Sequence, residues 1–124
     1  MESGSADARS SSRTYHEYYK TSRGYHARSL NSNDGWNATS ALSFINMPLD
    51  SYIGEIENPV LLIHGEKAHS LYFSKAAYEQ LEHGVNPSNK KLMIIPGANH
   101  VDLYDNRNAI PFDKLEAFFD NNLR

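Results

Sequence analysis

An α/β fold built on a parallel sheet is predicted by three features of the second half of the chain. Two short apolar runs, residues 60–64 (VLLIH) and 91–95 (KLMII), have the length and unbroken hydrophobicity of strands buried on both faces. A helical stretch lies between them, and another follows the second run. Strand, helix, strand, helix in short units is the order that places parallel strands side by side through right-handed crossovers. Two such strands cannot complete a parallel sheet, because each needs neighbours at its edges and cover on both faces. The chain therefore reads as a portion of a larger sheet, incomplete on its own.

Each element has a local cause. Residues 1–12 (MESGSADARSSS) are small and polar, as in a disordered leader or a remnant of protein production. Residues 13–20 (RTYHEYYK) have helical length and bring Tyr15, Tyr18 and Tyr19 to near-helical spacing. A loop-like stretch dense in Ser, Asn, Gly and Asp follows, and residues 38–52, interrupted by Pro48, have room for a short helix. Pro59 precedes the first strand and Gly65 closes it. Ser74 is placed to cap a helix, KAAYEQLEH, whose Ala77, Tyr78 and Leu81 share one side, and Gly84 and Pro87 end it. The second strand stops at Pro96 and Gly97, and GANHVDLYDN reads as a loop. Pro111 opens a last helix at the favoured first position, with Phe112, Leu115, Phe118 and Phe119 as an apolar stripe that requires a sheet to cover.

Bulk properties narrow the function. The 124 residues suffice for one domain with a modest core, and 40% hydrophobic with 22% charged residues is ordinary for a globular protein. A net charge of -3 argues against a nucleic-acid or anionic-membrane partner, either of which favours a basic surface. No apolar run approaches the roughly 20 residues of a membrane helix, nor is there a signal-like apolar core near Met1. A longer parent would carry its signal upstream, so location stays open, with the cytoplasm favoured. The absence of Cys removes disulfides, thiolate metal sites and a cysteine nucleophile from these residues.

The segment PVLLIHGEKAHS, a helix, and then KKLMIIPGANHVDLY together resemble the last two strands of the α/β-hydrolase superfamily. The wider wording, EYYKTSRGYHARS upstream and GEKAHSLYFSKAAY after the first strand, resembles a bacterial dienelactone-hydrolase-like branch. The resemblance runs from Arg13 to the C-terminus. It implies that residues 59–124 are the last two strands and helices of such a domain, and that residues 13–58 are a helical and loop segment associated with a cap or cleft.

The same resemblance assigns roles. In the loop Gly97-Ala98-Asn99-His100, His100 would be the catalytic histidine, held by a buried strand while its ring reaches across the sheet edge. The position at which many members carry the acid holds Ala68, leaving Glu66 as first choice to orient His100 and Asp102 as second, the latter also suited to stabilising a turn. Tyr25, His26 and Trp36 stand where a substrate cleft is expected, although packing explains such aromatics equally. No Gly-x-Ser-x-Gly turn occurs, so the nucleophile, Ser or Cys, would lie upstream in a longer parent.

The expectation is a C-terminal fragment of an enzyme cleaving ester-like or related acyl bonds without a cofactor, inactive by itself. Its partners would be a small ester-like substrate, the missing N-terminal half and, through self-association, further copies of the chain. A metal site is not expected, because His64-x-Glu66-x-x-His69 at a strand end lacks metal-ligand spacing and His64 reads as a core residue with a satisfied ring. The alternative is a non-catalytic binding or assembly module with a decayed triad. Ala68 favours it; His100 in an intact Gly-rich loop speaks against it.

Overall fold

In a computed structural model of the chain, which describes residues 12–29 and 39–123, the two apolar runs pair in parallel. Strand β1, Val60–Gly65, lies against β2, Lys90–Ile95, with Val60 opposite Lys90 and Gly65 opposite Ile95. Among the described residues these two strands form the whole sheet, and helices flank it. The mixed α/β class expected from the element order is the one observed.

The connection between the strands is α3, Leu71–Glu82, which packs on both of them. It begins a turn earlier than the sequence suggests. Ser70 occupies the N-cap position and Ser74 lies inside the first turns, where its hydroxyl meets His64 instead of capping the backbone. Leu81, only 2% exposed, anchors the helix. Burial of one such side chain is worth about 1.5–3 kcal/mol. The same helix rests on a 3-10 turn, Ile53–Glu55, through a close approach of two glycines. A Cβ on Gly84 would lie 2.1 Å from the Gly54 carbonyl oxygen, while the Val85 N–H donates to that oxygen at 2.8 Å. Asn86, in the left-handed region, then turns the chain into a second 3-10 turn, Pro87–Asn89, and on into β2.

Several expectations need correcting. The second strand starts at Lys90, one residue early, and that lysine is buried. Its Nζ donates to the Asn58 and Asn86 carbonyls at 3.0 and 3.3 Å and also to the Asn89 side chain, so the ammonium ties the entrances of both strands together. The strands are not buried on both faces. Most of their residues are half-buried, and Ile94 is exposed, because two helix-flanked strands leave much of the sheet uncovered among the described residues. The stretch read as a loop after Gly97 contains a short helix, α4, Asp102–Asp105, which packs on β1. Pro111 stands at the N-cap of the last helix, α5 (Phe112–Asn122), rather than at its first position. In α5 the stripe is only partly covered. Leu115 and Phe118 are half-buried, whereas Phe112 and Phe119 are exposed.

The chain divides into two compact units, Met1–Leu49 and Asp50–Arg124. In the first, a helix over 12–19 (α1) carries the tyrosines, with Tyr18 edge-on to Tyr19 at 4.9 Å and the Arg23 guanidinium 5.4 Å over the Tyr18 ring. The chain folds back so that Gly24 lies flat against Tyr18, where a side chain would collide with the ring. A second helix in this unit, α2, spans Ser40–Ile45 and buries none of its residues. Everything that frames the site described next lies in the second unit.

Candidate functional site

The loops that leave the C-terminal ends of β1 and β2 are bound to one another. The Glu66 N–H donates to the Ile95 carbonyl at 2.9 Å and the Lys67 N–H to the Ala98 carbonyl at 2.8 Å, extending the parallel ladder past the strands. Gly65 permits this approach, since a Cβ there would lie 2.5 Å from the Ala98 carbonyl oxygen. Gly97 turns the second loop with φ +71, a conformation that disfavours any residue with a Cβ. Beneath the loops sit Ala68, Ala98 and the fully buried Val101, three of the four buried apolar side chains among the described residues. The small core of the second unit thus lies directly under these loops, and Val101 pins the backbone next to His100.

Short polar contacts complete the second loop. The Asn99 N–H donates to Asp102 Oδ2 at 2.9 Å and the Val101 N–H to Asn99 Oδ1 at 3.1 Å. These are side-chain-to-backbone bonds of the kind that fix tight turns.

On this base four side chains form a continuous hydrogen-bonded row. His100 Nδ1 lies 2.7 Å from Ser70 Oγ, Ser70 Oγ lies 3.1 Å from His64 Nε2, and His64 Nδ1 lies 2.7 Å from Ser74 Oγ. Two further rings border His100, with centroids at 5.3 Å for His69 and 5.9 Å for Tyr104. Neighbouring rings oppose protonation of His100 and His64. Burial, then His69, then His64 holds the His100 pKa below the ordinary imidazole value; burial, then His69, does the same for His64. Both rings are therefore neutral at pH 7, and each has one donor and one acceptor nitrogen. A neutral, half-buried imidazole at the edge of a sheet is chemically equipped to take a proton.

The residues singled out from sequence fall into three groups. His100 stands at the centre. Glu66 and Asp102 are in the same pair of loops, where Glu66 Oε2 accepts the Gly97 N–H at 2.8 Å and Asp102 Oδ2 accepts that of Asn99 at 2.9 Å. Tyr25 and His26 lie in the first unit, both exposed, with His26 Nδ1 accepting the Arg28 N–H at 3.2 Å. Trp36 lies outside the described residues. His64 has the satisfied ring expected of it, but at the edge of the sheet rather than in the core.

Sequence reasoning missed Ser70 and misjudged Ser74. The signal was present: two serines four residues apart face the same way once the helix is started a turn earlier. Among the described residues no group of three or more His, Cys, Asp or Glu is placed to hold a metal ion, and no helix is long and apolar enough to cross a membrane.

No family model matches the chain. Over 110 residues it is 54% identical to Uncharacterized protein PA2218 of Pseudomonas aeruginosa, covering 88% of this chain and 28% of that protein. The crystal structure of hypothetical protein PA2218 from Pseudomonas aeruginosa matches with a TM-score of 0.77 at 53% identity, over 89% of this chain and 33% of that one. The chain thus spans between 28% and 33% of the relatives it matches.

Proposed function

We propose that these residues are the C-terminal part of an α/β-hydrolase of the dienelactone-hydrolase-like branch, acting on ester-like or related acyl bonds, with His100 as general base. The observation that carries this reading is the placement of His100. A neutral imidazole stands on a loop leaving the C-terminal end of a parallel strand, braced by a second strand-end loop and hydrogen-bonded through Nδ1. In open α/β sheets that edge is where reacting groups converge.

In this mechanism the other ring nitrogen of His100, Nε2, takes the proton from a Ser or Cys nucleophile as that atom bonds to the acyl carbon. The proton then passes to the departing alcohol, and a water attacking the acyl-enzyme is deprotonated in the same way. The nucleophile comes from outside these residues, as does the rest of the sheet. The matched relatives being about three times as long or more supports this, since they have length for further strands and a nucleophile turn. The fold alone names no substrate.

Turnover of a small chromogenic acetate ester tests the reading. The chain by itself is expected to be inert, and the longer protein that supplies the N-terminal half to be active. His100→Ala in that longer protein should lower kcat by about 10²–10⁴-fold, the usual worth of a general base. Hydrolysis that ignores His100 would overturn its role as base, and none from the longer protein would leave a binding or assembly module. Turnover by the chain alone, abolished by His100→Ala, would refute the upstream nucleophile.

A further inference from the structure

We infer that Ser70, backed by His64 and Ser74, is the positioning residue that orients His100, a neutral hydroxyl relay standing where a carboxylate would otherwise be. This rests on the reading of His100 as a base and goes beyond it by naming what holds the ring.

The geometry bears this out at each link. A hydroxyl set between two neutral imidazole nitrogens, at 2.7 Å from one and 3.1 Å from the other, donates to one and accepts from the other. For His100 to accept a proton at Nε2 it must carry its own on Nδ1. The Nδ1–H then donates to Ser70 Oγ, the Ser70 O–H donates to His64 Nε2, and the His64 Nδ1–H donates to Ser74 Oγ. One choice of tautomer at His100 therefore sets every bond in the row, so the two rings and two hydroxyls take their donor and acceptor roles together.

Two independent features show that the hydroxyl is committed to this task. Ser70 is the N-cap residue of α3, a position where a serine side chain ordinarily accepts a backbone N–H from the first turn. No such bond is formed, and the hydroxyl instead meets His100 and His64. The carboxylates of the same loops each accept a backbone N–H. Glu66 holds the Gly97 N–H and Asp102 holds that of Asn99, while Ala68 is buried and apolar.

A neutral relay differs from a carboxylate in one measurable respect. It orients the ring without supplying a negative charge to stabilise the imidazolium, so the base remains weakly basic.

Nitrogen-15 NMR of the histidine rings in the 124-residue chain tests the inference. At pH 7 His100 is expected as the Nδ1–H tautomer. Ser70→Ala should erase that preference with the backbone amide spectrum otherwise retained, and Ser70→Thr should restore it. Ser70→Asp should keep the tautomer and raise the His100 titration midpoint by about one to three pH units, the effect of an adjacent opposite charge. Should Ser70→Ala unfold the loop, the Thr and Asp variants carry the test. An Nε2–H tautomer in the parent chain, or a preference that survives loss of the hydroxyl in a folded variant, overturns the relay. Failure of the hydrolase reading is distinguishable. The expected tautomer without His100-dependent hydrolysis keeps the relay and removes the reaction, and hydrolysis with the opposite tautomer does the reverse.

Discussion

His64 and His100 set the behaviour of the site at the scale of single residues. Both resist protonation in the folded chain, so the sign of the pH dependence follows directly. As pH falls through about 6.5, the unfolded chain gains protons that the folded rings resist, and stability declines. Stability is fully present above that pH and lost progressively below it. The melting temperature is expected to drop between pH 7 and 5, and a His64→Gln, His100→Gln double variant should show a flatter profile. An unchanged profile would mean that the rings titrate normally. Under the proposed hydrolase reading the same depression would keep His100 a base to lower pH than a free imidazole, so kcat/KM should rise with a midpoint below 6.5.

Gly65 belongs to the same scale. A methyl there meets the backbone oxygens of Ala98 and Asn99 at 2.5 and 2.8 Å, and backbone cannot move aside as a flexible side chain does. Gly65→Ala should cost about 1–3 kcal/mol in urea unfolding, the usual penalty of overpacking. It should also perturb His100, because the two strand-end loops must part. Gly97→Ala meets no atom within 4 Å, so its cost is that of a left-handed φ alone, about 1–2 kcal/mol. Equal effects on His100 from both variants would contradict this separation of sterics from backbone strain.

At the scale of elements, β1 and β2 were legible because a short apolar run closed by glycine or proline is a local signal. The start of β2 was less so. Lys90 looks like a polar residue ahead of a strand, yet its ammonium is buried and bonded to carbonyls that come from the turns before each strand. Lys90→Met would leave those carbonyls without their donor and is expected to destabilise the chain by about 1–3 kcal/mol in chemical unfolding. A neutral effect would show that water takes over the donor's role. The start of α3 was hidden for a related reason. The serine that caps by position, Ser70, does not cap by hydrogen bond, and the one that sequence rules favoured, Ser74, is turned to His64.

For the whole molecule, the dominant fact is how little apolar surface is covered. In the first unit Leu42, Phe44, Ile45, Met47 and Leu49 are each more than half exposed. In the second unit Tyr72, Phe73, Phe112 and Phe119 are at least half exposed, on helices flanking a sheet two strands wide among the described residues. Such surface, with sheet edges left unpaired, drives association. The chain by itself is expected to elute above its 14.0 kDa mass in sizing experiments, shifting downward on dilution. A monomer at every concentration would refute this. If the proposed reading holds, a longer protein that supplies further strands should suppress the association, because the same surface would then be covered.

What the sequence determined by itself is what nearest-neighbour chemistry decides. An α/β order of elements, two parallel-type strands, the helix between them and a histidine presented by a Gly-rich loop all arise from patterns a few residues long. The tertiary structure alone decided which side chains meet. Ser70 and His100 are 30 positions apart, and they touch only because the crossover through α3 brings two strand-end loops together at adjacent β1 and β2 termini. The same pairing sets Glu66 Oε2 against the Gly97 N–H. Hydrogen bonds act over about 3 Å, so partners distant in sequence are chosen by register and close backbone approach, which no local pattern encodes.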